Sequence, residues 1–236
     1  MKTIGLLGGM SWESTVTYYQ LINRGVQKRL GGLHSAPLLL SSFDFAAVAK
    51  LQADGEWGLL ADLLCDHAQR LQRAGAEAVM ICTNTMHKLA PQVEEAAGIP
   101  LLHIADATAL ALKEQGVSRA GLLGTRFTME QGFYAERLQR HGIDTLIPDT
   151  AQRDVVHNVI YEELCRGEIN TASRQQYCDI IADLQLQGAE AVILGCTEIG
   201  LLVQAEHCTV PLVDTAVVHA QAAVEFVLGE SAAEWE

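Results

Sequence analysis

Positive charge is scarce in this chain. Lys and Arg number 16 against 29 Asp and Glu, a formal net charge of −13 over 236 residues. Such a field repels phosphate backbones and anionic lipid surfaces, so nucleic-acid and membrane-surface partners are disfavoured. Long apolar runs are missing as well: none approaches the roughly 18–20 residues of a membrane span. The short run at Ile4–Leu7 stops at Gly8-Gly9, too short for the core of a secretory signal peptide, so a cytoplasmic protein is expected. There is no HExxH and no Cys/His quartet at zinc spacing, so no metal site is expected. The six cysteines (65, 82, 165, 178, 196 and 208) form no CxxC and no small-scaffold framework, and they read as reduced thiols.

What is present is core-forming material and a repeat. Hydrophobic residues make up 49% and charged residues 19%, unlike a disordered chain. The length suits one large domain or two of about 100–120 residues. Three segments recur in the same order: Thr3–Met10 resembles Arg119–Arg126, Gly75–Thr83 resembles Gly188–Cys196, and Ile99–Leu102 resembles Val210–Val213. The nearly equal offsets argue for two similar halves and not for a solenoid.

Each half alternates strand and helix. Apolar runs at Ile4–Leu7, Pro37–Ser42, Ala78–Cys82, Pro100–Ile104, Ala120–Leu123, Ala191–Leu194 and Pro211–Val213 read as strands buried on both faces. Leu60, Leu63, Leu64, His67, Leu71 and Ala74 follow three- and four-residue spacing, which builds one buried helical stripe. Ser173–Leu186 and Ala216–Leu228 read likewise, the latter stopped by Gly229. Alternation of this kind implies parallel sheets with helical crossovers and a ligand at the carboxyl ends of the strands. The expected fold class is α/β, with two pseudo-symmetric lobes, each a parallel sheet flanked by helices, and the active site in the cleft between them.

Gly5-Leu-Leu-Gly-Gly-Met10 lacks the Gly-x-Gly-x-x-Gly spacing of a dinucleotide loop, so it reads as a tight turn allowing close approach to a small ligand. Superposing Gly75 on Gly188 sets Thr83 opposite Cys196, Asn84 opposite Thr197 and Thr85 opposite Glu198. Each triplet follows a buried strand and precedes a helix, where main-chain N–H groups hold carboxylates and lower thiol pKa values. Two such loops suit proton exchange on two faces of one small molecule. Cys65, Cys178 and Cys208 read as small buried hydrophobes, and Cys82, one position off the repeat register, as core.

Gly8-Gly-Met10, Thr83-Asn-Thr-Met-His87, Ile160-Tyr-Glu-Glu-Leu164 and Gly195-Cys-Thr-Glu198 together resemble the aspartate/glutamate racemase family, in order and from Met1 to about Gly229. The resemblance implies a cofactor-independent enzyme with an amino-acid substrate, and commonly a homodimer. It also implies two opposed cysteines that exchange the Cα proton. The lobes it implies are 1–98 plus 209–236, and 99–208. Catalysis then falls to Thr83 and Cys196, and substrate binding to Met10, Gln52, Asn84, Thr85, Thr125, Thr197 and Glu198. Asn84, Thr85 and Thr197 would hold the α-carboxylate and Glu198 the ammonium. By the same resemblance the second-lobe cysteine attacks the L enantiomer.

One position departs from the family, with Thr83 standing where its motif has cysteine. A thiol titrates near about 8.5, whereas a threonine hydroxyl is far less acidic and a poor base. Thr83 can still donate a proton or relay one through water. His87, one turn onward, is a candidate to assist it, with a capping or packing role favoured. Relatives acting on aspartate use basic side-chain clamps; here Lys50 and Gln52 compete for one position, with Gln52 favoured, and Cys165 (beside Arg166) falls at the other. A neutral clamp tolerates neutral side chains, so aspartate and glutamate are joined by a broader range such as homoserine. Two other readings stand beside this one: a malonate decarboxylase or maleate isomerase on the same framework, which Glu198 weighs against, and a non-catalytic amino-acid-binding module, for which Thr83 speaks. Glu230–Glu236 reads as a frayed tail, and Trp12, Trp57 and Trp235 as partly exposed.

Overall fold

The computed structural model describes residues 1–230; the expected tail from Ser231 onward, with Trp235, lies outside the described residues. The chain forms two units, Met1–His103 together with the segment from His219 onward, and Ile104–Val218. The first unit contains strands β1 (Ile4–Gly8), β2 (Leu38–Ser42), β3 (Ala78–Ile81) and β4 (Leu101–Leu102), with helices α1 (Trp12–Leu30), α2 (Phe45–Ala53), α3 (Trp57–Arg73) and α4 (Ala90–Ala97). The second contains β5 (Arg119–Gly124), β6 (Asp144–Leu146), β7 (Ala191–Gly195) and β8 (Leu212–Asp214). Its helices are α5 (Ile104–Glu114), α6 (Arg126–Glu130), α7 (Phe133–Arg140), α8 (Thr150–Glu162), α9 (Thr171–Leu186) and α10 (Ile199–Leu202). Helix α11 (Thr215–Leu228) starts in the second unit and from His219 belongs to the first.

Each unit holds one four-stranded parallel sheet, in the order β2-β1-β3-β4 and β6-β5-β7-β8. The matching orders bear out the α/β class and the repeat. Strands β1, β3 and β7 are buried along their whole length, as continuous apolar runs covered on both faces require. All seven expected strands are present. The eighth, β6, has only the Asp144-Thr-Leu146 segment at a sheet edge, partly exposed, so no apolar run announces it.

The lobe boundaries differ from the expected ones. Residues 99–103 were expected in the second lobe and 209–218 in the first. Instead β4 pairs with β3, with Val79 N–H donating to Pro100 O at 2.9 Å, and β8 pairs with β7, with Val192 N–H donating to Pro211 O at 2.8 Å. Ladder hydrogen bonds keep each fourth strand in its own sheet, and the exchanged segment begins only at His219, within α11.

In the first unit, Leu60, Leu64, Ala68 and Leu71 of α3 pack with Leu7, Val79, Ile81 and Val93. Burying each such leucine contributes about 1.5–3 kcal/mol. Between Leu64 and Leu71 the buried position falls to Ala68 and not to His67, which is half-buried, and Ala74 is exposed at the helix end. Cys82 is fully buried as expected, whereas Cys65, Cys178 and Cys208 are only partly buried, packed against the margins of the cores. Trp12 is exposed and Trp57 half-buried under the Lys88 ammonium.

The loop after β1 turns tightly at Gly9. Gly9 has φ +81°, and a Cβ there would collide with the Phe43 backbone. Its N–H donates to Thr15 Oγ1 at 2.7 Å. The close approach that glycine permits is made here by the protein's own chain.

Candidate active site

The residues singled out by the sequence gather at the carboxyl ends of the central strands of each unit. In the first unit, Met10 follows β1 and is buried, while Thr83, half-buried, follows β3. Asn84 and Thr85 are buried and lead into a 3-10 turn, Thr85–Leu89. The side chain of His87 turns back, its Nδ1 2.8 Å from the Thr83 carbonyl oxygen. Gln52, in the last turn of α2, is buried and donates from Nε2 to Met86 Sδ at 3.1 Å, which ties α2 to the turn after β3. Lys50 instead pairs with Asp54 at 2.6 Å on the surface, its side chain 75% exposed.

In the second unit, β5 and β7 are adjacent, with Gly124 registered on Gly195. A Cβ on Gly195 would lie 2.7 Å from Leu123 O, so glycine is what lets the two strand ends close together just before Cys196. Thr125 caps α6, its Oγ1 accepting from Thr128 N–H at 3.4 Å. Cys196, 9% exposed, donates its S–H to Glu198 Oε2 at 3.0 Å, and Thr197 Oγ1 donates to the same oxygen at 2.9 Å.

The thiol was expected to be activated by a helix start. The surroundings of Cys196 act in the opposite direction. Burial pushes the Cys196 thiol pKa well up, and the Glu198 carboxylate and Cys165 push it further; the Glu198 backbone N–H acts the other way without prevailing. The following helix, α10, is a single turn of four residues, too short for a strong dipole. Cys196 is therefore a protonated thiol held on a carboxylate.

Tyr161 is the functional candidate to which the sequence reading gave no role. Burial raises its hydroxyl pKa above the ordinary range, and the nearby Cys196, Cys165 and Glu198 add to that. Tyr161 and Cys165 thus neighbour the Cys196–Glu198 pair. The signal was the motif Ile160-Tyr-Glu-Glu-Leu164 itself, since both flank its acidic pair. Asp214 also stands near Glu198. Burial raises its pKa, its Oδ1 accepts from the N–H groups of Ala216 (2.8 Å) and Val217 (3.3 Å), and the Glu198 charge raises it further.

Among the described residues, no group of three or more His, Cys, Asp or Glu is placed to hold a metal ion. No helix among them is long and apolar enough to cross a membrane. A shallow pocket of about 560 Å³, lined by Arg119, Glu136, Asp144 and Leu146, lies at the other ends of β5 and β6 and includes none of the residues singled out above.

Comparison with known proteins identifies the family. The family model for Asp/Glu/hydantoin racemases matches residues 7–223. A solved structure from Yersinia pestis, assigned as an Asp/Glu racemase, is 53% identical with a TM-score of 0.90, covering 97% of this chain and 100% of that one. An aspartate racemase homologue from Pyrococcus horikoshii is 29% identical with a TM-score of 0.85, covering 97% and 100%. A broad specificity amino-acid racemase of Bacillus subtilis is 21% identical over 228 residues, 95% of this chain and 98% of its own. This chain belongs to the Asp/Glu/hydantoin racemase family and is an isomerase of the racemase type.

Proposed function

We propose that the protein racemises free amino acids without a cofactor, with Cys196 and Thr83 serving opposite faces of the Cα atom. The observation that carries this reading is the buried Cys196–Glu198 pair at the end of β7. A thiol whose proton rests on a carboxylate gives it up more readily once a cation arrives. The substrate ammonium pairs with Glu198 and offsets the charge that opposes thiolate formation, and the thiol proton leaves to solvent. Cys196 then takes the Cα proton from the L enantiomer. The carbanion is stabilised as its charge spreads into the α-carboxylate, held by N–H and hydroxyl groups of Asn84, Thr85 and Thr197. Thr83 delivers a proton to the other face and is reprotonated through water, so protons balance over the cycle.

Because a threonine is a poor base, turnover from the D enantiomer is slow. Gln52 and Cys165, both neutral, stand where a clamp for a side-chain carboxylate would carry positive charge. Neutral substrates such as homoserine are therefore accepted beside aspartate and glutamate, and the printed specificity of the Bacillus subtilis relative supports that breadth. A buried anion at Glu198 disfavours malonates and maleate, which bring no ammonium.

The test is solvent deuterium incorporation at Cα from each enantiomer of aspartate, glutamate and homoserine. Exchange from the L forms, weak exchange from the D forms and none in Cys196→Ala are expected. Equal rates from both enantiomers refute the asymmetry. A strict preference for acidic substrates refutes the neutral clamp.

A further inference from the structure

Within the first unit three histidines lie ring against ring behind Thr83. His87, 2% exposed, has His103 at 4.6 Å and His219 at 5.6 Å between ring centroids, both edge-on. The proton positions follow from the partners. A carbonyl oxygen only accepts, so His87 carries its proton on Nδ1 toward Thr83 O. His219, 0% exposed, likewise donates from Nε2 to Leu102 O at 2.7 Å, and its Nδ1 lies 2.9 Å from the Tyr18 hydroxyl. Residues from α1 and β4 thus hold His219 of α11, which backs the ring that grips Thr83.

We propose that His87 is the positioning residue of the Thr83 loop, acting by setting the Thr83–Asn84 peptide plane. The amide is planar and trans, so its C=O and N–H point in opposite directions. Anchoring the Thr83 carbonyl on His87 Nδ1–H fixes where the Asn84 N–H aims. On the reading given above, on which this inference rests, that N–H helps hold the α-carboxylate as charge builds on it in the carbanion. The same anchor holds the Thr83 Cα, and with it the direction of its hydroxyl. The role demands a donor at the Nδ1 place, toward Thr83 O.

Two amide variants separate those places. In His87→Asn the amide nitrogen falls near the site of Nδ1; in His87→Gln it falls near that of Nε2. Deuterium exchange from an L-amino acid, saturation kinetics and thermal melts are measured on both. H87Q is expected to lose about 100-fold in kcat with KM moved less than about 3-fold. H87N is expected to stay within about 3-fold of the wild type in kcat. A merely structural histidine would make activity follow the melting temperature in both variants. Equal kcat in the two, on a wild type that exchanges, overturns the role of His87 alone; no exchange in the wild type overturns the racemase reading itself. Should H87Q fail to fold, H87N decides, since a loss of tenfold or more at an unchanged melting temperature overturns the proposal.

Discussion

At the scale of single residues, the strand-end positions of Thr83 and Cys196 were legible because the repeat aligns Gly75 with Gly188 and each apolar run stops just before them. Which protonation state Cys196 adopts was not legible, since that depends on desolvation and on where the Glu198 carboxylate turns. The dominant effect is burial, with Glu198 next. Glu198→Gln removes the charge, so the thiol pKa falls toward its ordinary value. The alkaline-rising limb of the rate from the L enantiomer then moves to lower pH, while KM rises as the ammonium loses its counter-charge. A pH–rate profile of deuterium exchange for both proteins checks this, and a limb that stays in place contradicts it.

Among elements, the helices that pack beside the sheets are held by side chains from far along the chain. Asp106 of α5 takes a bidentate pair from Arg137 of α7, Nε at 2.7 Å and Nη2 at 2.6 Å, with His141 Nε2 at 2.9 Å. Burial works against its charge, but the hydrogen bonds from Arg137 and His141 prevail and hold the carboxyl below the usual range. Asp106 is 7% exposed and Arg137 34%, so solvent weakens the pair. Asp106→Asn is expected to cost about 1–2 kcal/mol, read as a lowered urea midpoint at unchanged slope. That stability is present above the unfolded carboxyl pKa and is lost as pH falls through the lower folded value. Helical periodicity located the buried stripe of α3 but was blind to this tie and to β6, three partly exposed residues without an apolar run.

Over the whole molecule, several buried acids are held neutral. Burial raises the thiols of Cys82 and Cys196 and the phenols of Tyr134, Tyr161 and Tyr177. Their folded pKa values exceed those of the unfolded chain. Their stabilising effect is therefore complete below about pH 8.5, where unfolded thiols begin to ionise, and declines as pH rises beyond it. The melting temperature should fall more steeply from about pH 8.5 to 10.5 than from about pH 7 to 8.5, as calorimetry across that range would record. A flat profile would mean that these groups ionise in place.

The order of apolar runs, the repeat and the chemistry of strand-end residues determined the α/β class, the two sheets and the positions of Thr83 and Cys196. These are local properties, because a two- or 3.6-residue period says which face is apolar whatever lies against it. Tertiary structure alone decided which sheet β4 and β8 join, that His219 backs His87, and that Cys196 keeps its proton. Each of those outcomes turns on atoms brought from distant parts of the chain, where hydrogen-bond pairing and exclusion of water, and not the period of the sequence, fix the energy.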